Sequence, residues 1–302
     1  MEEVSYIGTI RFEQKDQIEK IRSAYSHELS SHAFVSLYLW QKALGLTLHL
    51  SERFFTAKCS ARGKNVWFFP CGDDSLKKKF ITQHIQEEDF SLCYLGDRDK
   101  VFLETYYEGC FEISEEDSSS EYIYDRKEYE TICGGRFSNM RKQINRLKKE
   151  HKVEVEELCD ENRKLIMPIL ENGFSGSNKE EKDMPKSAHA AKQVLRYWRE
   201  LGVFGLLVFV DDTVQSLALG FPLTEDTIDG CIECSNMSIH GLSYFSKRAL
   251  FLSSNEQYRY MNAEEDLGLP GLRMVKRHMA PIRQNRIFYA VRNCQEILRR
   301  SL

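Results

Sequence analysis

Apolar and polar positions repeat every two residues in some stretches of the chain and every three or four in others, and the two periods take turns. In the first half, Gln14 to Tyr25 has helical spacing, while Phe34 to Leu44 is apolar and aromatic with no clear period. "LTLHL", "RFFTAKCS" and "NVWFFPC" read as three strands, the last two joined by the tight turn Ala61-Arg62-Gly63-Lys64. A helix from Asp74 to Ile85, opened by an acid at its cap position, precedes strand "FSLCYL", helix Asp97 to Tyr107 and strand "CFEI".

The acidic, serine-rich "SEEDSSSE" lacks the apolar content to pack and reads as a linker or exposed loop. Beyond it, "YIYDRKEY" leads into a basic helix from about Phe137 to Glu150, then strand "KVEVEEL", a helix from Asp160 to Gly173, the loop "SGSNKEEKDMPKS" and a helix from Ala188 to Leu201. Strands "GLLVFVDD", "SLALGFPL" and "TIDGCIEC", helix Gly241 to Leu252, strand "YRYMN", a short helix Leu269 to Arg277 and strand "RIFYAV" complete the set. The order of the first half returns in the second. It predicts an α+β fold of two tandem modules, 1–117 and 118–302, each a mixed, mostly antiparallel sheet covered by helices, although no residue-level repeat is visible.

Composition narrows the class. The 302 residues are 42% hydrophobic, enough for a sizeable core, and Lys+Arg 42 against Asp+Glu 46 gives a formal charge of −4. That balance demands neither nucleic acid nor an acidic membrane as partner. The N-terminus carries acids where a signal peptide needs positive charge, and no stretch approaches the roughly 18 apolar residues of a membrane span, so a cytoplasmic location is expected. Nine cysteines scattered through strand-like segments fit reduced, buried thiols. Cys231 and Cys234, three apart in a strand, face opposite ways and read as core rather than zinc ligands.

Two stretches carry candidate chemistry. In the basic helix Phe137, Met140, Ile144 and Leu147 form an apolar stripe, flanked by Arg141 and Lys148 on one side and Lys142, Arg146 and Lys149 on the other. This layout admits a solvated surface helix paired with neighbouring acids, and equally a cationic ridge for phosphates. In "YRYMNAEEDLGLPGLRMVKRHMAP" the acids Glu264, Glu265 and Asp266 leave a short strand, and Gly268, Pro270 and Gly271 set up a helix on which Arg273 and Lys276 share a face. Capping accounts for one acid of the three. A carboxylate beside cations orients an amine and removes its proton, or stays ionised while the cations neutralise phosphate. A cysteine nucleophile partnered by His240 or His278 is a further option, with structural cysteines and surface histidines the simpler reading, and no spacing supports a metal site.

Element order and residues together resemble the GNAT acyltransferase superfamily. The second half is similar to a bacterial family related to the C-terminal domain of phosphatidylglycerol lysyltransferases, and more distantly to the Fem-type aminoacyl ligases. The resemblance is carried by "EYIYDRKEYETICGGRFSNMRKQINRLKKE", the strand pair "GLLVFVDD…SLALGFPL", "IDGCIEC", "SLYLW" at Ser36 to Trp40, and above all the Asn-x-Glu-Glu-Asp-Leu-Gly-x-x-Gly-Leu-Arg pattern that starts at Asn262.

The resemblance implies transfer of an acyl or aminoacyl group from acyl-CoA or aminoacyl-tRNA to an amine or hydroxyl acceptor, either a small amine or a lipid. It places the catalytic module in the second half and the substrates in a cleft between modules. Glu265, Asp266 and Glu233 are then candidate bases or amine-orienting acids, Arg273 and Lys276 anion contacts, and Gly241 with Ser243 the remnant of a donor loop. In Ser238-Ile239-His240-Gly241-Leu242-Ser243 only Gly241 matches the pyrophosphate-binding pattern, which favours a donor other than acyl-CoA. The family's Lys-x-Ser-Tyr is Lys276-Arg277-His278-Met279 here, and its Ile-Glu-Lys-Ala-Asp strand is Ile232-Glu233-Cys234-Ser235-Asn236, which keeps the acid and loses the lysine. The alternative is a non-catalytic module of the same fold that binds RNA or a phosphate ligand through the ridge containing Arg141, Lys142 and Arg146.

Overall fold

A computed structural model of the chain describes residues 6–172 and 186–293. Most of the loop expected at 175–187 lies outside the described residues. In chain order the first elements are β1 (Tyr6–Gly8), α1 (Lys15–Ala24), α2 (Phe34–Leu44), β2 (Leu46–Ser51), β3 (Phe54–Cys59), β4 (Val66–Phe68), β5 (Cys71–Gly72), α3 (Asp74–His84), β6 (Ser91–Leu95), α4 (Asp97–Tyr106) and β7 (Phe111–Glu115). Next come β8 (Glu121–Asp125), α5 (Arg126–Thr131), α6 (Ser138–Glu150), β9 (Val153–Glu157), α7 (Asp160–Asn172), α8 (Lys186–Arg196), α9 (Trp198–Leu201), β10 (Phe204–Val210), β11 (Thr213–Pro222) and β12 (Thr227–Ser235). The last are α10 (Leu242–Ser253), β13 (Tyr260–Asn262), α11 (Pro270–His278), β14 (Arg283–Asn285) and β15 (Phe288–Arg292).

The stretch without a clear period, Phe34 to Leu44, is α2. Phe34, Val35, Ser36, Leu37 and Leu39 are all buried, so no polar face marks its turns, and Gly45 ends it in the left-handed region at φ +58°. The acid at the start of α3 caps as expected, with the Asp73 carboxylate accepting the Ser75 N–H at 2.9 Å.

Two compact units result: Met1–Glu121 with Asn285–Leu302, and Tyr122–Gln284. The first is built on a sheet of order β1-β2-β3-β4-β6-β15-β7, with β5 added to β3. Its core is aromatic, with Trp67, Phe69, Phe80, Phe90 and Phe102 packed on Leu92, Leu95 and Phe288. The second is built on a sheet of order β14-β8-β13-β12-β11-β10-β9. There the stripe Phe137, Met140, Ile144 and Leu147 of α6 joins Leu206, Val208, Phe245 and Phe251 in one core. Arg126 closes the far end of α10. Its guanidinium donates to the carbonyls of Phe251 at 2.7 Å and Ser254 at 3.0 Å at the helix terminus, and to that of Tyr258 at 2.7 Å in the loop beyond.

One expectation is corrected. "RIFYAV", grouped by its place in the chain with the second module, is β15, and it pairs antiparallel with both β6 and β7 of the first sheet. Phe288 and Ala290, on one face of β15, are buried in the first unit's core. Alternation shows which side of a strand is apolar, but not which sheet receives it.

Candidate functional site

In the second sheet β12 and β13 run parallel, and their pairing spans only Thr227↔Tyr260, Ile228↔Met261 and Asp229↔Asn262. Past that point β12 continues to Ser235 while β13 ends, so the two strands part. On the other side of β12 the register with β11 passes from Phe221↔Asp229 to Leu219↔Ile232. Gly230 and Cys231 therefore stand against the single residue Gly220, which is a β-bulge, a device that re-aims backbone and side chains. The bulge coincides with the parting of the strands.

The chain leaving β13 forms the acidic bend, and the bend is pinned from inside. Asp266 is fully buried, and its carboxylate accepts from Arg273 Nε at 2.7 Å, Arg273 Nη2 at 3.1 Å, the Tyr122 hydroxyl at 2.7 Å and the Gly268 N–H at 2.9 Å. Burial alone would raise its pKa, but Arg273, Tyr122 and Gly268 together hold it below the usual carboxylate range. Asp266 thus closes the turn ahead of α11 and does not cap it as expected: the N-cap position is Leu269, no side chain caps the helix there, and Pro270 occupies its first turn.

Lys276, 5% exposed, points back under the same bend. Its ammonium donates to the carbonyls of Ala263, Glu264 at 3.0 Å and Glu265 at 2.6 Å, which uses all three N–H groups. Burial, then the neighbouring Lys247 ammonium, brings its pKa down to about 8, against the pull of Glu264, Glu265 and Asp229. Those residues gather around Lys276. Glu265 is half-buried, its carbonyl held by Lys276 and its carboxylate in electrostatic contact with the same ammonium.

Past its pairing with β13, Glu233 on β12 meets α10. Its carboxylate accepts from the Ser243 hydroxyl at 3.0 Å and from Ser235, and pairs with Lys247 Nζ at 3.2 Å, with both charged side chains 14% exposed. The structure therefore brings together Glu233, Ser243, Glu265, Asp266, Arg273 and Lys276 within one unit, but engages Arg273 and Lys276 with the protein's own acid and carbonyls. Both act as clamps on the bend.

Gly241 has a packing reason for being glycine. It starts α10 at φ +84°, and a Cβ there would lie 2.4 Å from the Gln143 carbonyl oxygen of α6. Within α6, Arg141 donates to the carbonyls of Ile132 and, at 2.7 Å, Gly134, while Arg146 pairs with Glu150 at 2.9 Å and Lys142 is exposed. Of the ridge residues, Arg141 and Arg146 thus serve the helix and its preceding loop. His278 Nδ1 accepts from Asn139 at 3.1 Å and lies 3.4 Å from the Tyr244 hydroxyl, and His240 is exposed. Among the described cysteines, Cys59, Cys71, Cys93, Cys110 and Cys234 are buried and not in disulfides.

Sequence reasoning missed Lys247, Asp229 and Tyr122. Lys247 left a signal, since it stands four residues after Ser243 on one helical face. Tyr122 left none, because it meets Asp266 only through the pairing of β8 with β13.

Residues 22–291 match the model of the family described as phosphatidylglycerol lysyltransferase, C-terminal. A conserved protein of unknown function from Bacteroides thetaiotaomicron is similar at 21% identity and TM-score 0.85, over 95% of this chain and 99% of that one. L-PGS from Bacillus licheniformis is similar at 15% identity and TM-score 0.61, over 94% of each chain. A C-terminal domain from Agrobacterium fabrum is similar at 13% identity and TM-score 0.66, over 94% of this chain and 93% of that one. No curated protein matches. At these identities the solved structures show the fold alone, which is α+β with two compact units, each built on a mixed, mostly antiparallel sheet. No described helix is long and apolar enough to cross a membrane.

Proposed function

The chain belongs to the phosphatidylglycerol lysyltransferase C-terminal family, and from that premise we propose that it transfers an acyl or aminoacyl group to an amine or hydroxyl acceptor in the opening between β12 and β13. One observation carries the reading: the parallel pair parts at a bulge, and charged groups gather past the parting, Glu233 with Lys247 on one side and the bend that Lys276 and Asp266 hold in place on the other.

The donor carbonyl lies against the bulge at Gly230 and Cys231, whose backbone is turned from the regular ladder and polarises the oxygen. The acceptor's O–H or N–H faces Glu265. Its oxygen or nitrogen bonds to the carbonyl carbon, the ester bond to the tRNA 3′ oxygen (or the thioester bond to coenzyme A) breaks, and the acceptor proton passes through Glu265 to the departing atom. Glu233 and Lys247, fixed by Ser235 and Ser243, orient a charged group of the substrate. Aminoacyl-tRNA is the preferred donor, because Gly241 is accounted for by the approach of α6 and the loop around it lacks the leading cation of a pyrophosphate cradle.

The test supplies labelled aminoacyl-tRNA or acyl-CoA together with soluble amines or phosphatidylglycerol. Transfer from aminoacyl-tRNA is expected, reduced about 10²–10⁴-fold in Glu265→Gln with an unchanged melting curve. No transfer from either donor, or a Glu265→Gln variant at the parent rate, overturns the proposal.

A further inference from the structure

Helices α7 and α8 enclose a cavity of about 710 Å³, and none of its described lining residues belongs to β12, β13 or the acidic bend. Two contacts bridge the helices across it. Arg163 Nη1 donates to the Leu195 carbonyl at 2.8 Å, and two turns further along α7 Glu171 meets Lys192 Nζ at 3.8 Å. Between these contacts α7 contains Pro168, whose ring has no N–H for the Lys164 carbonyl. A proline inside a helix weakens it, and here the proline forms part of a groove wall with Met167 and the fully buried Leu195.

The charges along the groove have mostly one sign. Arg163, Lys164, Lys192 and Arg196 line it against a single acid among the described residues, Glu171, which Lys192 already engages. The acids at the start of α7 are outside the lining and committed elsewhere: Asp160 pairs with Arg199 at 2.5 Å and with Arg163 at 3.9 Å, and the Glu161 carboxylate bonds to Cys159. Lys164 and Arg196 are exposed and form no ion pair among the described residues.

Size and wall chemistry together select a ligand. A bare phosphate would occupy a small part of the volume and leave Met167, Pro168 and Leu195 facing water. An acyl chain needs an unbroken apolar channel, and here cations interrupt the wall. A flat heterocycle lies against Met167 and Pro168 with its polar edge toward Gln193, while attached phosphates reach two cations that have no partner of their own.

We infer that the groove between α7 and α8 binds a nucleoside polyphosphate, its base on Met167, Pro168 and Leu195 and its phosphates on Lys164 and Arg196. Binding is measured without turnover, so this inference and the transferase reading fail separately.

The full chain is titrated calorimetrically with ATP, GTP, adenosine and inorganic tripolyphosphate. Saturable binding of a nucleoside triphosphate is expected, with adenosine and tripolyphosphate each about tenfold weaker or more. The double variant Lys164→Gln, Arg196→Gln should bind the triphosphate about tenfold more weakly, with a flatter salt dependence and an unchanged melting curve. Met167→Ser should weaken the triphosphate and leave tripolyphosphate as it was. Lys64→Glu, at an exposed position of the first unit, should change nothing. Absence of saturable binding, equal affinity in the double variant, or tripolyphosphate as tight as the nucleotides overturns the inference. So does deacylated tRNA that displaces the nucleotide at a lower concentration than tripolyphosphate does, since that result assigns the groove to an RNA.

Discussion

Each unit contains a parallel strand pair, and the two pairs end in opposite ways. In the first, β4 and β6 pair from Val66↔Ser91 to Phe68↔Cys93, and the Phe69 N–H carries on by donating to the Cys93 carbonyl at 2.8 Å. Aromatic rings fill the space beyond, with Phe68 and Tyr94 4.6 Å apart and Phe69 edge-on to Phe102 at 5.8 Å. In the second, β12 and β13 stop at Asp229↔Asn262, and the space beyond is lined by carboxylates and ammonium groups. One topology therefore packs aromatic rings past the strand ends in one unit and largely buried charged groups in the other. Fold alone does not decide which unit carries chemistry; the side chains at the strand ends do.

The comparison can be broken most forcefully in the first unit. Phe69→Ala, which empties a fully buried ring site, should cost about 3–5 kcal/mol of stability in urea titration, with transfer per folded molecule unchanged. A large loss of specific activity at full folding would mean that the parallel pair of the first unit serves the reaction.

A smaller effect is expected from Asp266→Asn, which weakens the charge-assisted bonds to Arg273 and Tyr122. It should cost roughly 2 kcal/mol and loosen the bend, seen as faster amide exchange at Gly268 and Leu269. Unchanged exchange would show that Lys276 holds the bend unaided.

The smallest effect is a matter of pH. His32 in the first unit is fully buried, its Nε2 donates to the Phe69 carbonyl at 2.8 Å, and burial brings its pKa down from 6.5 to about 4. The folded chain thus stays neutral there while the unfolded chain takes up a proton. Stability is full above pH 6.5 and is lost as pH falls from 6.5 toward 4, by at most about 1.4 kcal/mol per unit. Urea midpoints at pH 6.5 and 5.5 should differ accordingly, and His32→Gln should reduce the difference, the remainder belonging to the neighbouring His27, whose burial likewise holds it below the usual range. An equal slope in that variant would assign the effect to other groups.

What was legible in the sequence follows from where the information lies. The stripe on α6, the cap at Asp73 and the turn at Pro270 depend on residues within a few positions of one another, and all three appear as read. Glu233, Ser243 and the acidic bend were singled out from the motif and do gather in one unit. The commitment of Lys276 to three carbonyls was not legible, because a lysine on a basic helix gives no sign that its own preceding loop will curl over it. Nor was the bulge at Gly230 and Cys231, which exists only relative to the register of β11. The destination of β15 needed the whole chain.

That destination has a consequence for biosynthesis. Because β15 lies between β6 and β7, and the entire second unit is translated between β7 and β15, the first unit cannot close its sheet until the second unit has been synthesised and β15 has left the ribosome. Until then β6 and β7 lack the strand that joins them, and the nascent protein presents open strand edges to chaperones and to its neighbours on the polysome.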